Sequence, residues 1–273
     1  MSPLRLVLRT APGVPLDASA VRPDALAGLR NAEVERLPLR HGHELASLGD
    51  FFSVEGSGGD EVHVLGDVSR VLGLGSGMRG GELRILGNAG RHTGARMAGG
   101  RLRVDGDSGD WTGAEMSGGV LEVRGDAGAS LGGAYAGASR GMRGGALLGH
   151  GSAGERAGER MRRGTLAVAG GAGAWAGAHM VAGTLLVCGD LGRGPGIGMK
   201  RGTLVAGGAL QLLPTFRYAC TDRPGFLALL FRSLEAMGFH LRAPFHAGAF
   251  RRYAGDCADL GRGEILQWTS QEP

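Results

Sequence analysis

Seven methionines, Met78, Met97, Met116, Met142, Met161, Met180 and Met199, follow one another at intervals of 19, 19, 26, 19, 19 and 19 residues. Each stands second in a unit of one pattern, such as RMAGGRLRVDGDSGDWTGA or RMRRGTLAVAGGAGAWAGA. A fixed period near 20 residues is the mark of stacked units, none of which can bury its apolar face alone. Within each unit runs a short alternation: Leu83-x-Ile85, Leu102-x-Val104, Leu121-x-Val123, Leu166-x-Val168 and Leu185-x-Val187. Alternation of period two places those residues on one face of a strand. No unit contains an uninterrupted helical stretch, so stacked helical hairpins are excluded. The pattern predicts an all-β chain, a right-handed parallel β-helix of 19-residue turns. Turns spaced about 4.8 Å apart give a rod of roughly 30–35 Å. The left-handed hexapeptide form needs multiples of six, and 19 is not one.

The repeat also accounts for the 55 glycines. Matches to the phosphate-cradling G-x-G-x-x-G occur at Gly75–Gly80 and Gly149–Gly154, but this composition yields about two by chance. Both lie at turn corners with no helix to follow them, so no nucleotide site is expected. Sets such as Gly87, Gly106, Gly125 and Gly94, Gly113, Gly132 recur at fixed offsets, as tight corners require. Methionine, flexible and polarizable, is expected to fill a corner.

The flanks read differently. Residues 1–57 are expected to cap the stack, which occupies 58–213 and would otherwise expose a strand edge. Residues 214–273 form a tail with a helix from about Pro224 to Met237, Pro near its start and Gly238 just past its end. The remainder is expected to wrap the rod or reach a neighbour.

Net charge is +4, with no basic run interleaved with aromatics, so no nucleic-acid partner is expected. Three widely spaced cysteines give neither a disulfide framework nor a CxxC metal site. The N-terminus lacks the apolar core of a signal peptide, and FLALLF is too short to span a bilayer. The expectation is a cytoplasmic protein with no membrane partner.

Two columns stand out when the repeats are aligned. The residue between the inward pair reads Arg84, Arg103, Glu122, Leu148, Ala167, Leu186, Val205. The first three are expected to be solvated. The last four form an apolar stripe that either the tail or another subunit must cover, and they are assigned as partner-facing candidates. Trp111 and Trp175, which share a corner, join that set. The column after methionine carries Arg79, Arg143, Arg162 and Lys200, with Arg163 and Arg201 adjacent. These six are candidates for holding an acidic chain, against the simpler reading of solvated corner residues.

Catalytic patterns are missing. Glu82, Glu122, Asp105 and Asp110 do not share a column, as the paired carboxylates of a polysaccharide-cleaving β-helix would. His41-x-His43, with Glu44, offers too few ligands at metal spacing. His92, His150 and His179 read as surface or packing residues. No catalytic or metal-ligating residue is assigned.

The repeated GM-x-G-G-x-L-x-V-x-G-D-x-G-x-x-x-G-A unit, over about 77–208, together with LGDFF at 48–52, resembles the family of the C subunit of formylmethanofuran dehydrogenase. That family has a bacterial relative, the C subunit of the formyltransferase/hydrolase complex, and a similar glycine-rich β-helix closes the large chain of glutamate synthase. The resemblance implies a scaffold subunit with no active site of its own. Its expected partners are a formyltransferase subunit and an amidohydrolase-like subunit that pass a C1 unit between tetrahydromethanopterin and a methanofuran or methylofuran carrier. Metal is expected in a partner subunit and no cofactor is expected on this chain. Arginine dominance, with Lys200 the single lysine, favours the bacterial complex of methylotrophs over a molybdenum or tungsten dehydrogenase. A stand-alone solenoid binding an acidic ligand is the rival reading. Because furan carriers of this family bear glutamate tails, the six basic residues are the expected contacts for such a tail.

Overall fold

The computed structural model describes residues 3–57, 59–241, 245 and 248–270. The alternating segments of the repeats are strands, β6 (Glu61–Leu65) and β8 (Glu82–Leu86) through β9 (Arg101–Val104), β10 (Val120–Val123), β11 (Arg143–Gly149), β12 (Arg163–Val168), β13 (Thr184–Val187) and β14 (Thr203–Ala206), with β7 (Val71–Leu72) off this series. Before them come β1 (Leu4–Leu8), β2 (Leu16–Asp17), α1 (Pro23–Leu26), α2 (Asn31–Glu35), β3 (Pro38–His41), β4 (Glu44–Ser47), α3 (Leu48–Phe51) and β5 (Phe52–Glu55). After them come β15 (Arg217–Asp222), α4 (Gly225–Ala236), β16 (Ala249–Gly255) and β17 (Gly263–Thr269). The protein is mostly β, built on a large sheet ordered β15-β16-β17-β14-β13-β12-β11-β10-β9-β8-β6-β1-β5.

Hydrophobic register sets the pairing. Leu83, Leu102, Leu121, Leu147, Leu166, Leu185, Leu204 and Ile265 are successive parallel partners, all fully buried. A slip of one residue would turn this aliphatic column to the opposite face. Each fully buried Leu contributes about 1.5–3 kcal/mol relative to exposure. Two further ties bind each repeat to the next. Single parallel bridges run Val68, Ala89, Ser108, Ala127, Ala153, Ala172, Leu191. The amide after each methionine donates to the preceding methionine's carbonyl, as Ala98 does to Met78 at 2.7 Å and Lys200 to Met180 at 2.8 Å. The 26-residue interval does not disturb the register, because Leu121 still pairs with Leu147; the extra residues 134–140 leave the ladder.

The Met-x-x-Gly spacing has a steric cause that spans two repeats. Gly100, at φ +82, lies so close to the preceding turn that a Cβ would sit 2.7 Å from both the Met78 methyl carbon and the Gly81 carbonyl oxygen. The methionine of one turn thus fills the space a side chain would need in the next. Met97 with Gly119 and Met116 with Gly145 repeat the arrangement. Polar turn residues form a second ladder: Asn88 and Asp107 each accept, through Oδ1, the amide one repeat on, at 2.9 and 2.8 Å.

Both ends of the stack are continued by the flanks. β1 pairs in parallel with β6, and β5 lies antiparallel beyond it. A second sheet, β4-β3-β2-β7, joins the N-terminal segment to the first repeat through Leu16 and Val71. At the far end β17 adds in parallel to β14, Thr203 facing Glu264 and Leu204 facing Ile265. Met199 packs against Gly263 as the other methionines pack against their glycines. β16 and β15 then extend the sheet antiparallel. Helix α4 starts and stops close to the limits read from Pro224 and Gly238. Residues 242–244, 246–247 and 271–273 of the expected tail, and residues 1–2 of the expected cap, lie outside the described residues.

The outer column departs from its expected reading. Leu148, Ala167, Leu186 and Val205 are fully buried under the chain's own tail, in a cluster with Leu227, Phe231, Leu234, Phe239, Phe245 and Phe250. Their assignment as partner-facing is therefore corrected: the amphipathic helix α4 and the segments after it fold back over the strands and exclude water from the stripe. Glu122 is not solvated either. It is 6% exposed, held by Arg124 Nε at 2.7 Å and His150 Nε2 at 3.0 Å. Phe239 rests against the His150 ring at 5.4 Å. A carboxylate tolerates such burial when paired and hydrogen-bonded.

Candidate functional site

With inward positions committed to packing, chemistry is left to the corners. The basic corner follows directly from the repeat, since the residue after each methionine bonds through its backbone and projects its side chain outward. Arg162 and Arg163 on one turn, and Lys200 and Arg201 two turns on, line a depression of about 290 Å³ with Val181, Ala182 and Leu260. Arg143 belongs to the same group, its backbone pairing with Arg163. All five cations are exposed. Lys200 Nζ lies 4.0 Å from Asp259 Oδ2, while among the described residues no carboxylate forms an ion pair with Arg143, Arg162, Arg163 or Arg201. A cluster of one sign with so little compensating charge attracts and concentrates anions. Arg79 is not part of it. Three repeats separate it from Arg143, about 14 Å at the usual strand spacing, and its amide donates to Asp24 at the N-terminal end. Five of the six thus gather on the turns from Arg143 to Arg201, with Arg79 at the other end of the column.

The second corner is marked by backbone conformation. His92, Trp111, Ser130, Arg156 and Trp175 occupy equivalent positions with φ between 55 and 62°, and Arg96, Glu115, Arg160 and His179 repeat this four residues later. Non-glycine residues in the left-handed region cost roughly 1–2 kcal/mol each, so the stacking over-determines these corners. Around Trp111 the chain satisfies itself. His92 stacks on it at 5.4 Å, and Tyr135, from the inserted 134–140 segment, completes a triad of rings at 6.3 Å. The Tyr135 hydroxyl is 2.9 Å from His92 Nδ1. Arg96 lies over the Tyr135 ring at 5.2 Å while its Nε donates to Glu115 at 2.9 Å. Burial lowers the His92 pKa, helped by the nearby Arg91, and raises that of Tyr135. Trp111, half-buried, thus packs within a triad supplied by its own chain.

Trp175 differs. Arg156 of the preceding turn and Arg193 of the following one lie over its ring at 5.4 and 4.8 Å. Trp175, Arg156, Glu159, Ala178, His179 and Ile197 line a depression of about 260 Å³. Arg156 and Arg193 were missed in the sequence, although Arg156 stands one period before Trp175. Among the described residues, no group of three His, Cys, Asp or Glu side chains could hold a metal ion. Nor is any helix among them long and apolar enough to cross a membrane.

No family model matches the chain. Over 100 residues it is 37% identical to the C subunit of the tungsten-containing formylmethanofuran dehydrogenase 2 of Methanothermobacter thermautotrophicus, covering 35% of this chain and 37% of that one. Over 83 residues it is 40% identical to the C subunit of the molybdenum-containing formylmethanofuran dehydrogenase 1 of Methanothermobacter marburgensis, covering 30% and 21%. The chain thus spans well under half the length of these curated relatives. A solved chain agrees over nearly its full length: TM-score 0.91 and 39% identity, over 96% of this chain and 98% of its counterpart, in the crystal structure of the formyltransferase/hydrolase complex (FhcABCD) from Methylorubrum extorquens in complex with methylofuran. With a third of its length matching the former and 96% of it matching the latter at 39% identity, the chain belongs to the family of the formylmethanofuran dehydrogenase C subunit.

Proposed function

We propose that this chain is a non-catalytic scaffold subunit of a formyltransferase/hydrolase complex in tetrahydromethanopterin-linked one-carbon metabolism. One observation carries the reading: 96% of the chain, and so most of both flanks, matches a chain of such a complex, whereas its match to the dehydrogenase chains covers only part of either sequence. We read the fold as a right-handed parallel β-helix over 58–213, between a cap (1–57) and a tail (214–273) that lends β17 to the last turn. The three ties between successive repeats support it. Formyltransferase and amidohydrolase-like subunits are the partners this reading requires, and they would perform the chemistry.

The basic corner is assigned to the carrier. Arg143, Arg162, Arg163, Lys200 and Arg201 form an exposed cationic strip able to engage the carboxylates of a polyglutamylated furan carrier, and the matched complex was solved with methylofuran. Gentle affinity purification of this chain from its source, with mass spectrometry, tests the scaffold role. Formyltransferase and amidohydrolase-like subunits in fixed ratio are expected; a lone monomer would refute it and favour a self-contained binding module. Copurifying molybdenum or tungsten would instead favour a dehydrogenase, the reading suggested by the curated relatives. For the corner, Arg162→Glu with Arg163→Glu is expected to lower carrier retention in the purified complex. Unchanged retention refutes that assignment alone.

A further inference from the structure

The two tryptophans share a corner, yet their surroundings differ in one respect that matters for binding. The cation over the Trp111 triad, Arg96, already has a carboxylate in Glu115. The cations over Trp175 have none: among the described residues, no carboxylate forms an ion pair with Arg156 or Arg193. Glu159, which lines the same depression, is directed to Arg160 at 3.8 Å. A guanidinium held over an aromatic face by a cation–π contact spends none of its N–H donors on a carboxylate there, and two of them can still take one. The contact also restrains the long side chain, which lowers the ordering cost on binding.

The corner is built for this exposure. Gly194, at φ +65, occupies in the next turn the position that Trp175 holds in its own. A Cβ at Gly194 would come within 3.1 Å of Trp175 Cδ1. The glycine therefore lets the indole lie across the neighbouring turn, and the adjacent Arg193 closes on it. The two guanidinium carbons are then at most about 10 Å apart, from their distances to the ring centre. Trp and Arg are the residue types most enriched where protein interfaces hold their binding energy.

We propose that the Trp175 corner is a docking site for an acidic segment of another subunit, two carboxylates of which engage Arg156 and Arg193 across the indole. An Asp or Glu pair at i and i+2 of an extended strand, about 7 Å apart, has a suitable span. The proposal rests on the chain being a subunit of a complex, and it names the chemistry of one contact. It is distinct from the carrier corner, whose cations follow methionine by one or two positions and, among the described residues, lie over no aromatic ring.

The test uses the complex isolated through a tag on this chain. Arg156→Lys and Arg193→Lys keep the charges and make them reactive toward carboxylates with a carbodiimide. A zero-length cross-link from either position to an Asp or Glu of a co-subunit is expected, absent in the unsubstituted chain. Cross-links only to Glu155 or Glu159 of the same chain, to the glutamates of a carrier tail, or to nothing would overturn the proposal. Independently, Arg156→Glu with Arg193→Glu is expected to weaken the chain's hold in the complex by about 30-fold or more, with its thermal midpoint unchanged. Undiminished association refutes the docking site while leaving the subunit reading intact. If the unsubstituted chain brings down no co-subunit, it is the subunit reading that fails.

Discussion

Phe231 lies at the centre of the cover that α4 places over the outer face of the stack. It is 4% exposed, packs in one cluster with Leu186, Val205, Leu227 and Phe245, and meets the Phe245 ring edge-on at 6.4 Å. Phe231→Ala is expected to cost about 3–5 kcal/mol, the range for a buried aromatic truncated to alanine. The loss should fall on the tail alone. The outer cluster is separate from the inner one of Leu83, Leu102, Leu121 and their partners, which lies on the opposite side of the same strands. At tenfold per 1.4 kcal/mol, amide exchange in α4 should accelerate by about two to four orders of magnitude. Amides of β8 to β10, beyond the cover, should exchange as before. Uncovering Leu148, Ala167 and Leu186 should also raise binding of a hydrophobic dye. Hydrogen exchange by mass spectrometry on wild type and variant decides it. Equal loss of protection in α4 and in β8 to β10 would refute the separation into two cores, and unchanged exchange in α4 would refute the cover.

Three further outcomes follow from particular contacts. The His150 pKa is lowered by burial and by Arg124, with His240 adding to this and Glu122 opposing it. A depressed histidine favours the folded state while neutral, so its contribution is complete above about pH 6.5 and is lost as pH falls below that toward the folded value; His150→Gln should flatten the pH dependence of tail opening between pH 7 and 5, measured by exchange. Deleting 134–140 should leave a cooperative melt, because Leu121 and Leu147 already pair across it, yet should alter Trp111 fluorescence by removing Tyr135; loss of the cooperative transition would contradict the register. Gly119→Ala should destabilise by about 2–4 kcal/mol in chemical denaturation, combining left-handed strain with overpacking, since its Cβ would meet the Gly100 carbonyl oxygen at 2.7 Å; a neutral result would contradict the Met–Gly packing.

The periodic part of the structure was legible because the cause of each pairing lies within one repeat. Leu102 and Val104 announce an inward strand face, and the next turn offers the same pair 19 residues on. Met97 and Gly100 were legible as a recurring pair, but their contacts cross between turns: Gly100 makes room for Met78, and Met97 needs Gly119. What sequence could not give depends on distant segments meeting. Whether Leu186 faced a partner or the tail turned on where α4 docks, and no local pattern encodes that. Glu122 reads as a surface residue until His150 and Arg124 close on it under Phe239. Tyr135 looks like loop filler, yet it completes the Trp111 triad. β17 rejoins the stack some 60 residues after β14, and only its Gly-x-Ile-Leu hints at the repeat.

The same logic bears on where function can reside. A column that faces inward is fixed by its neighbours in both adjacent turns, so Leu166 cannot change without leaving a void between Leu147 and Leu185. The corner column after methionine is held through its backbone: Arg162 and Val181 make the same amide bond to the preceding methionine, at 2.8 Å in each case, with very different side chains. That column can therefore vary in chemistry from turn to turn at little cost to the stack. The cationic strip from Arg143 to Arg201 and the Trp175 cluster both lie on corners, and both sit in turns after the insertion. Before the insertion, the Trp111 corner is closed by Tyr135, and the methionine-following positions carry one cation, Arg79 beside Asp24, and then Ala98 and Ser117. The binding surfaces proposed for the chain thus gather on the C-terminal half of the stack, the half whose outer strand face the tail has already covered.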